Sequence, residues 1–275
     1  MAPITLTTDF GERDSYVAQM KGVIAGIAPS APVVDVTHEV PPQNIRVAAL
    51  IAEQIAATFP PGTVHVIVVD PGVGTDRRIL LAELDEQRFV VPDNGILTRV
   101  WRNAKRRRAL ELTNSALWRR VQSHTFHGRD RMAPAAAHWW AGMPLDQFGP
   151  PLDQPPVRLQ WPEPQRQGER IRGEVLYVDR FGNLATNIPG NELQGRHVRR
   201  IVAGPVQIGG ISAAFAEVPP GRWVALINSW GMLELAVNRG DAAALSGLKP
   251  GDPVIVELSG APDEEDVCIV QPPAD

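Results

Sequence analysis

The sequence predicts an α/β fold with an N-terminal, helix-covered and mainly parallel sheet and a C-terminal antiparallel, β-barrel-like domain. The first half alternates short β-rich runs with stretches of helical periodicity, which is typical of a parallel sheet covered by helices. The second half carries short alternating runs separated by turn residues, which indicates antiparallel strands. Between Gly149 and Gly168 lie six prolines, as expected of a linker. We therefore expect an α/β domain over residues 1–150, a linker over 151–170 and a β domain over 171–275.

The first elements alternate strand and helix. Ile4–Thr8 and Val33–Thr37 are β-rich and are predicted to be strands. Between them, apolar residues from Val17 to Ile27 keep helical spacing, and Asp14 or Ser15 is the expected N-cap. A second helix, with an apolar face from Ile45 to Ile55, is expected to open at Pro41-Pro42.

The stretch Thr63–Arg78 is the centre of the predicted sheet. A β-branched run from Val64 to Val69 indicates a strand buried on both faces. It ends at Asp70, and the segment Pro71–Gly74 then predicts a tight turn. An open α/β sheet binds its ligand at the carboxyl ends of its strands, so Asp70 and Arg77 are site candidates. The alternative is that Asp70 simply caps its own turn.

Three further features complete the first half. Ile79–Leu84 and Arg88–Val91 resemble a hairpin. The run from Arg99 to Arg108 holds six basic residues, and in an acidic protein we interpret it as a solvated face. Met132–Trp140 is expected to form an apolar helix.

The second half contains six short runs that are predicted to be strands and an acidic run, Asp263–Asp266, that is predicted to be solvated. The predicted strands are Gly173–Val178, Ala185–Ile188, Ile201–Val202, Trp223–Asn228, Leu233–Val237 and Val254–Leu258.

Composition excludes several classes of protein. A net charge of −4 and a pI near 5.9 argue against nucleic-acid and membrane-surface binding. No apolar run approaches the roughly 20 residues of a membrane span. Cys268 is the only cysteine, which leaves no thiolate metal cluster and no internal disulfide. These features predict a cytoplasmic enzyme.

Polar residues that could do chemistry follow the predicted strands of the first half. They are Asp9, His38, Asp70 with Arg77, Asp93-Asn94, and a further cluster of His127, Arg129 and Asp130. If the sheet is parallel, most of them converge on one edge. One interpretation is a metal site, since Asp, His and Asn are suitable ligands, although no spacing matches a metal-binding signature. The other is a metal-free site in which Asp70, Arg77 and His127 hold and polarise a water.

Two turns of the second half also carry polar and aromatic groups. They are Asp179–Asn183 and Asn228–Gly231. Asparagine suits the edge of a purine, and Phe181 or Trp230 could stack on its face. The plainer interpretation is a β-turn and an Asx turn.

Taken together, these segments resemble the S-adenosyl-L-methionine (SAM) hydrolases, also called SAM hydroxide adenosyltransferases, which are relatives of the SAM-dependent fluorinase and chlorinase. The segments occur in the same order over about Ile4 to Val256: TTDFG, DSYVAQMKG, VVDVTHEVPP, VDPGVGTDRR, VVPDNG, TFHGRD, VDRFGNLATNI and NSWGMLELAVNRGDAA. The resemblance implies hydrolysis of SAM to adenosine and L-methionine, with no metal or redox cofactor. It also implies a homotrimer with SAM bound between neighbouring subunits.

The resemblance assigns roles to individual residues. Asp70, Arg77 and His127 are the expected water-activating triad, and Asp9 is expected to hold the ribose diol. The remaining expected substrate contacts are Asp14, Ser15, Tyr16, Asp179, Phe181, Asn183, Ser229 and the stretch Val237–Arg239.

Departures and alternatives accompany this assignment. In the halogenating relatives the position of Asp70 carries a residue that cannot act on water, so Asp70 favours a hydrolase over a halogenase. Gln43 and Trp230 stand where the halogenating relatives have tryptophan and arginine, respectively. Two alternatives remain outside this class. One is a metal-dependent hydrolase that uses Asp9, His38, Asp93 and His127, and the other is a non-catalytic protein that binds SAM or adenosine.

Overall fold

The computed structural model describes residues 2–259, and the chain divides into two compact units between Gln160 and Trp161. Asp263–Asp266 and Cys268 therefore lie outside the described residues. Within the described range, no helix combines the length and apolar character needed to cross a membrane.

The first unit is a six-stranded sheet with helices. Its strands are β1 (Ile4–Thr8), β2 (Val33–Thr37), β3 (Val64–Val68), β4 (Ile79–Leu84), β5 (Gln87–Pro92) and β6 (Arg107–Glu111). Its α-helices are α1 (Tyr16–Ile27), α2 (Ile45–Thr58), α3 (Thr98–Asn103) and α4 (Ala133–Trp140), and a π-helix covers Gly128–Met132. The strand order is β2-β1-β3-β5-β4-β6.

The four strands β2, β1, β3 and β5 are parallel, whereas β4 pairs antiparallel with both β5 and β6. The mainly parallel, helix-covered sheet and the β4–β5 hairpin predicted from the sequence are thus confirmed. The carboxyl ends of the parallel strands share one edge of the sheet, and Asp9, His38 and Asp93 directly follow β1, β2 and β5 there.

The central strand β3 is buried along its whole length. Its residues Val64, Val66 and Val68 join one core with Met20 of α1 and Trp139 of α4, because side chains at alternate positions point to the same face.

A buried histidine joins the amino-terminal ends of three strands. His65 of β3 is fully buried, with Nδ1 2.8 Å from Thr5 Oγ1 and Nε2 3.2 Å from Gln87 Oε1. Burial lowers the pKa of His65 to about 4, so the ring is neutral near pH 7. This network lies at the end of the sheet opposite the carboxyl ends of β1 and β3.

The expected start of the second helix was wrong. α2 begins at Ile45, and its N-cap is Asn44, whose side chain accepts a hydrogen bond from the Val47 N–H. Gln43 has a φ of +62°, so a left-handed residue separates Pro41-Pro42 from the helix.

The expectation that the basic run is a solvated face was also wrong in part. Arg99 is buried, and its guanidinium forms an ion pair with Glu53 of α2. The run contributes α3 and the start of β6, whose exposed Arg107 and Arg108 do face solvent. Sequence spacing alone gave no sign of the Glu53 partner, which is 46 residues away.

The first half of the Pro-rich stretch packs on the first unit. Arg78 donates to the Asp153 side chain and to the carbonyl of Pro155, and Val157 N–H donates to the carboxylate of Asp93. Leu159 N–H donates to Thr98 Oγ1. These contacts fix the chain up to the end of the first unit.

The second unit is an antiparallel sheet that nearly closes into a barrel, which confirms the predicted fold class. Its strands are β7 (Gln165–Gln167), β8 (Arg170–Val178), β9 (Leu184–Pro189), β10 (His197–Ala203), β11 (Val206–Ile208), β12 (Trp223–Ile227), β13 (Met232–Val237) and β14 (Pro253–Ser259), with a short helix α5 (Ala242–Ser246). The order is β11-β10-β14-β8-β9-β13-β12, with β7 beside β8. A bridge from Ser212 to Leu226 of β12 follows β11 and brings the two ends of the sheet together.

Candidate active site

The strongest electrostatic feature at the carboxyl edge is the pair Asp70–Arg77. Arg77 Nε lies 2.9 Å from both carboxylate oxygens of Asp70, and Nη2 makes a further short contact to Oδ2. Both side chains are largely buried, with 4% of Asp70 and 10% of Arg77 exposed. The turn that connects them contains Gly74 with a φ of +84°, which favours glycine. The turn predicted after the central strand therefore aims the guanidinium back at the strand end.

His127 completes this group. Its Nδ1 lies 3.0 Å from Arg77 Nη2. A guanidinium only donates hydrogen bonds, so Nδ1 must accept and the proton of the neutral ring sits on Nε2. His127 Nε2 is buried and makes no hydrogen bond to a described residue. The arrangement leaves one N–H donor of His127 unused.

Several causes keep His127 neutral. Burial lowers its pKa to about 4, and the positive charges of Arg131 and Arg77 act in the same direction, against smaller opposing effects of Asp70 and Asp130. The ring is 3% exposed. Below its pKa, protonation at Nδ1 would remove the acceptor that Arg77 uses.

The turn after His127 is a π-helix, Gly128–Met132, a form that is rare and often found at functional sites. A Cβ on Gly128 would lie 3.2 Å from Val68 Cγ1 of β3. The close approach of this turn to the central strand therefore helps to bring His127 beside Asp70.

A cavity of about 260 Å³ lies over this group. Its lining residues are Asp9, Phe10, Gln43, Val68, Asp70, Pro71, Val73, Thr125, Phe126, His127 and Gly128. The cavity unites the ends of β1 and β3 with the segment that enters the π-helix. It is slightly smaller than the roughly 300–1,000 Å³ of most ligand pockets, so it would hold part of a ligand as large as a nucleoside derivative.

Asp9 lines this cavity. Its Oδ2 accepts a hydrogen bond of 2.8 Å from the Gln43 N–H, and the left-handed φ of Gln43 directs that N–H toward the carboxylate. Within the described residues, Oδ1 of Asp9 accepts no hydrogen bond, which leaves it available to a ligand hydroxyl.

The structure separates His38 and Asp93 from the cavity. His38 Nδ1 is 2.9 Å from Thr8 Oγ1, and Nε2 is 3.0 Å from Asp35 Oδ1. Asp93 accepts from Arg78 and from the Val157 N–H. Both carry structural bonds that a metal ligand would have to give up.

Asn94 is also structural, since its Nδ2 donates to the carbonyl of Val69, one residue before Asp70. Within residues 2–259, no group of three or more His, Cys, Asp or Glu side chains is arranged to hold a metal ion. The side chains that a metal-dependent hydrolase would need as ligands thus make separate hydrogen bonds within the described residues.

Of the expected contacts at the start of α1, Tyr16 packs against two aromatic residues that line the cavity. The side chain of Tyr16 is 46% exposed, and its ring packs 5.3 Å from Phe126 and 5.6 Å from Phe10. Asp14 and Ser15 are exposed at the same end of the helix. Ser15 occupies the N-cap position without making a capping bond, and its Oγ instead accepts a hydrogen bond from Gln19 Nε2.

The expected contacts of the second unit occupy turns between strands. Asp179 Oδ1 accepts from the N–H groups of Phe181 and Asn183, and Asn183 Nδ2 donates to Asp179 Oδ2. The Phe181 ring is 75% exposed. The β-turn foreseen as the plainer interpretation is present, since the Gly182 N–H donates to the carbonyl of Asp179, and the exposed Phe181 ring leaves an aromatic face available.

The other expected contacts of this unit lie along the β12–β13 hairpin. Asn228 Oδ1 accepts from Trp230 N–H, which places Ser229 at the exposed tip of the turn. Val237 is buried at the end of β13, and Arg239 has a φ of +57°. A depression of about 880 Å³, lined in part by Ile227 and Trp230, lies in the same unit.

Sequence reasoning missed the aromatic part of the cavity. Phe10 and Phe126 line it, and both stand inside segments that carry the resemblance, DFG and TFHG. Arg129 and Asp130 were noted only as a polar cluster. Their ion pairs are local, Arg129 with Asp130 and Asp130 with Arg119, but the hydrogen bond from Arg129 to Gln19 spans 110 residues and leaves no trace in local spacing.

Comparison with protein families places these features in a known context. The family model described as the SAM hydroxide adenosyltransferase N-terminal domain matches residues 4–149, and the model of the corresponding C-terminal domain matches residues 173–255.

Individual relatives agree with the family match. The chain is 42% identical to a protein of Thermus thermophilus named (R)-S-adenosyl-L-methionine hydrolase, over 92% of this chain and 99% of the relative. It is 28% identical to a fluorinase of an Actinoplanes species, over 92% and 96% of the two chains. An uncharacterized conserved protein of Thermotoga maritima, known as a crystal structure, superposes with a TM-score of 0.86 at 38% identity, over 92% of this chain and 99% of that one.

Proposed function

The chain belongs to the SAM hydroxide adenosyltransferase family, and from this premise we propose that it hydrolyses SAM to adenosine and L-methionine. The observation that carries the proposal is the hydrogen-bonded group of Asp70, Arg77 and His127 at the cavity. Buried charge and an unused N–H donor are what a site for an activated water requires.

The reaction needs no acid for the leaving group. Water forms a bond from its oxygen to C5′ of the ribose while the C5′–S bond breaks, and the electron pair goes to sulfur, which becomes a neutral thioether. One proton of the water stays on the new 5′-hydroxyl, and the other must be accepted by the protein and then released. Orientation of the water and stabilisation of its hydroxide-like form therefore supply the catalysis.

Hydrogen-bond roles favour Asp70 over His127 as the proton acceptor. Arg77 has no lone pair to offer, and His127 uses its Nδ1 lone pair for Arg77 and carries its proton on Nε2. Asp70 is the remaining base. We assign proton acceptance to Asp70 and stabilisation of the hydroxide-like oxygen to the charge of Arg77. His127 would donate a hydrogen bond from Nε2–H to the attacking oxygen.

Further residues would hold the substrate. Asp9, fixed by the Gln43 N–H, suits the ribose diol because a carboxylate accepts two hydroxyl hydrogens. The expected contacts of the first unit are Asp14, Ser15 and Tyr16, and those of the second unit are Asp179, Phe181, Asn183, Ser229, Val237 and Arg239.

The proposed active form is a cytoplasmic homotrimer with each site completed by a neighbouring subunit. The support is that the cavity at Asp70 is small for SAM, while the expected contact Phe181 is largely exposed on the chain that bears it. A neighbouring copy would supply such a ring without any change of fold.

A chromatographic assay tests the reaction. Purified protein treated with EDTA is incubated with SAM, with and without chloride. The expected result is adenosine and methionine in equal amounts, unaffected by chelator. A 5′-halo-adenosine would instead indicate a halogenase, activity only with added metal would indicate a metallohydrolase, and unchanged SAM would indicate a binding protein.

A further inference from the structure

Arg129, two residues after His127, makes contacts that the proposed reaction does not explain. Its Nε and Nη2 donate to the two carboxylate oxygens of Asp130 at 2.7 and 2.9 Å, and Nη1 donates to Gln19 Oε1 at 2.7 Å. The guanidinium carbon lies 4.8 Å from the centre of the Phe126 ring. One side chain therefore contacts the π-helix, the aromatic lining of the cavity and helix α1.

Asp130 anchors this arginine. It is fully buried and also accepts from Arg119 Nη1 at 2.9 Å and from the Ser123 N–H at 2.7 Å. Burial alone would raise the pKa of Asp130, but its bonds to Arg129, Ser123 and Arg119 hold the pKa below the usual value. A charged carboxylate with three donors gives the Arg129 fork one fixed orientation.

Gln19 extends the contact to the start of α1. Its Nε2 donates to Ser15 Oγ at 2.9 Å, one helical turn earlier. The chain of bonds thus runs from Asp130 through Arg129 and Gln19 to Ser15. It ends on the segment that contains Tyr16, whose ring packs edge-on against Phe126 at 5.3 Å.

We propose that Arg129 is a positioning residue that ties the catalytic segment to the first turn of α1, so that Ser15, Tyr16 and Phe126 meet the substrate in one prebuilt arrangement. The inference rests on the proposed function, because it assumes that these three residues border bound SAM. Ser15, Tyr16 and Ala18 at the start of α1 are exposed, and the N-cap makes no capping bond, so the Arg129–Gln19–Ser15 bonds restrain a helix end that has no side-chain cap. Without it, substrate binding would have to order the segment.

Gln19→Ala is the cleanest variant, since it removes the link to α1 and leaves the Arg129–Asp130 fork intact. The expected result is a rise of roughly tenfold in KM for SAM, with kcat within about threefold of the wild type. The variant loses the preorganisation of a substrate-binding segment, whereas Asp70, Arg77 and His127 stay in place. Gln19→Glu should stay near the wild type, since a carboxylate accepts from Arg129 and from the Ser15 hydroxyl.

A matched control is Gln122→Ala. Gln122 also accepts from an arginine of the π-helix, Arg131, at 3.2 Å, but this pair does not reach α1. Its KM should be unchanged. Arg129→Lys, which keeps the charge and loses the fork, should raise KM at least as much as Gln19→Ala.

The outcomes separate the two proposals. Wild-type protein that turns SAM over, together with a Gln19→Ala variant of unchanged KM, would overturn the positioning role and leave the proposed function in place. A fall in kcat with unchanged KM, or equal effects in Gln122→Ala, would also overturn it. Wild-type protein that leaves SAM intact would remove the proposed function and this inference with it. A KM effect in Gln19→Ala that is absent in Gln19→Glu and Gln122→Ala supports the positioning role.

Discussion

Asp70 carries the residue-level prediction that best separates chemistry from binding. In Asp70→Asn an amide oxygen still faces Arg77, but the group can no longer accept a proton. We expect kcat to fall by about 10²–10⁴, while the Kd for SAM, measured by titration calorimetry, changes little. Normal turnover in this variant would contradict the role of Asp70 as base.

A matched control lies on the same loop. Asp76 is exposed, so Asp76→Asn removes a carboxylate close in sequence without touching the buried pair. Its kcat and KM should equal those of the wild type, and a comparable loss there would point to a general effect of loop charge.

His127 sets the expected pH dependence. Its pKa of about 4 means that the ring keeps its neutral, hydrogen-bonded form well below the ordinary value for histidine, near 6.5. The rate should therefore stay flat as the pH crosses 6.5 and decline only as the pH approaches 4, where protonation at Nδ1 breaks the bond to Arg77. A kcat/KM profile with an inflection near 6.5 would contradict this assignment.

The same pH range affects the free energy of unfolding, and this effect must be distinguished from the effect on the rate. The folded-state pKa values of His65 and His127 are both depressed to about 4, so the unfolded chain binds protons more readily below pH 6.5. The contribution of these two rings to the free energy of unfolding should thus fall between pH 6.5 and 4 and change little above 6.5. Circular dichroism at each pH shows whether the protein is folded where its rate is measured.

At the level of elements, the turn between Asp70 and Arg77 is the part most sensitive to a small change. Gly74 has a φ of +84°, and a Cβ there would lie 2.8 Å from the carbonyl oxygen of His124. In Gly74→Ala backbone strain of about 1–3 kcal/mol adds to this contact, so the turn must shift and carry Arg77 with it. We expect lower thermal stability together with a clear fall in kcat.

Gly142→Ala is a control that introduces backbone strain without displacing Arg77. Gly142 also has a positive φ, +99°, but a Cβ there would meet nothing within 4 Å. This variant should lose stability while kcat is retained. Equal kcat values in the two variants would show that the turn does not position Arg77.

The elements also show where sequence reasoning succeeds. β1, β3 and the β4–β5 hairpin were predictable because alternation and β-branched runs report burial locally. The start of α2 and the burial of Arg99 were not, because one depends on the left-handed Gln43 and the other on Glu53 of a different helix. In the candidate site, the order of the segments led us to expect Asp70, Arg77 and His127 to act together, and these side chains do lie together. The bridge through Gln19 depends on a tertiary contact that no local pattern encodes.

For the whole molecule, the proposed trimer makes a quantitative prediction about mixed assemblies. Asp70→Asn removes the proposed base from the first unit. Asn183→Ala removes an expected substrate contact from the second unit. Each variant alone should have little activity. If each site takes its first-unit residues from one chain and its second-unit residues from a neighbour, a mixed trimer contains some sites with both residues intact.

The size of the recovery follows from counting interfaces. When the two variants are unfolded together and refolded at equal concentration, one interface in four joins an intact first unit to an intact second unit, so about a quarter of wild-type activity should return. Light scattering on the same sample should give about 90 kDa for three copies of a 29.9 kDa chain. A site made within one chain, or a monomer near 30 kDa, would give no recovery at any mixing ratio, because no assembly would then hold both intact residues at one site.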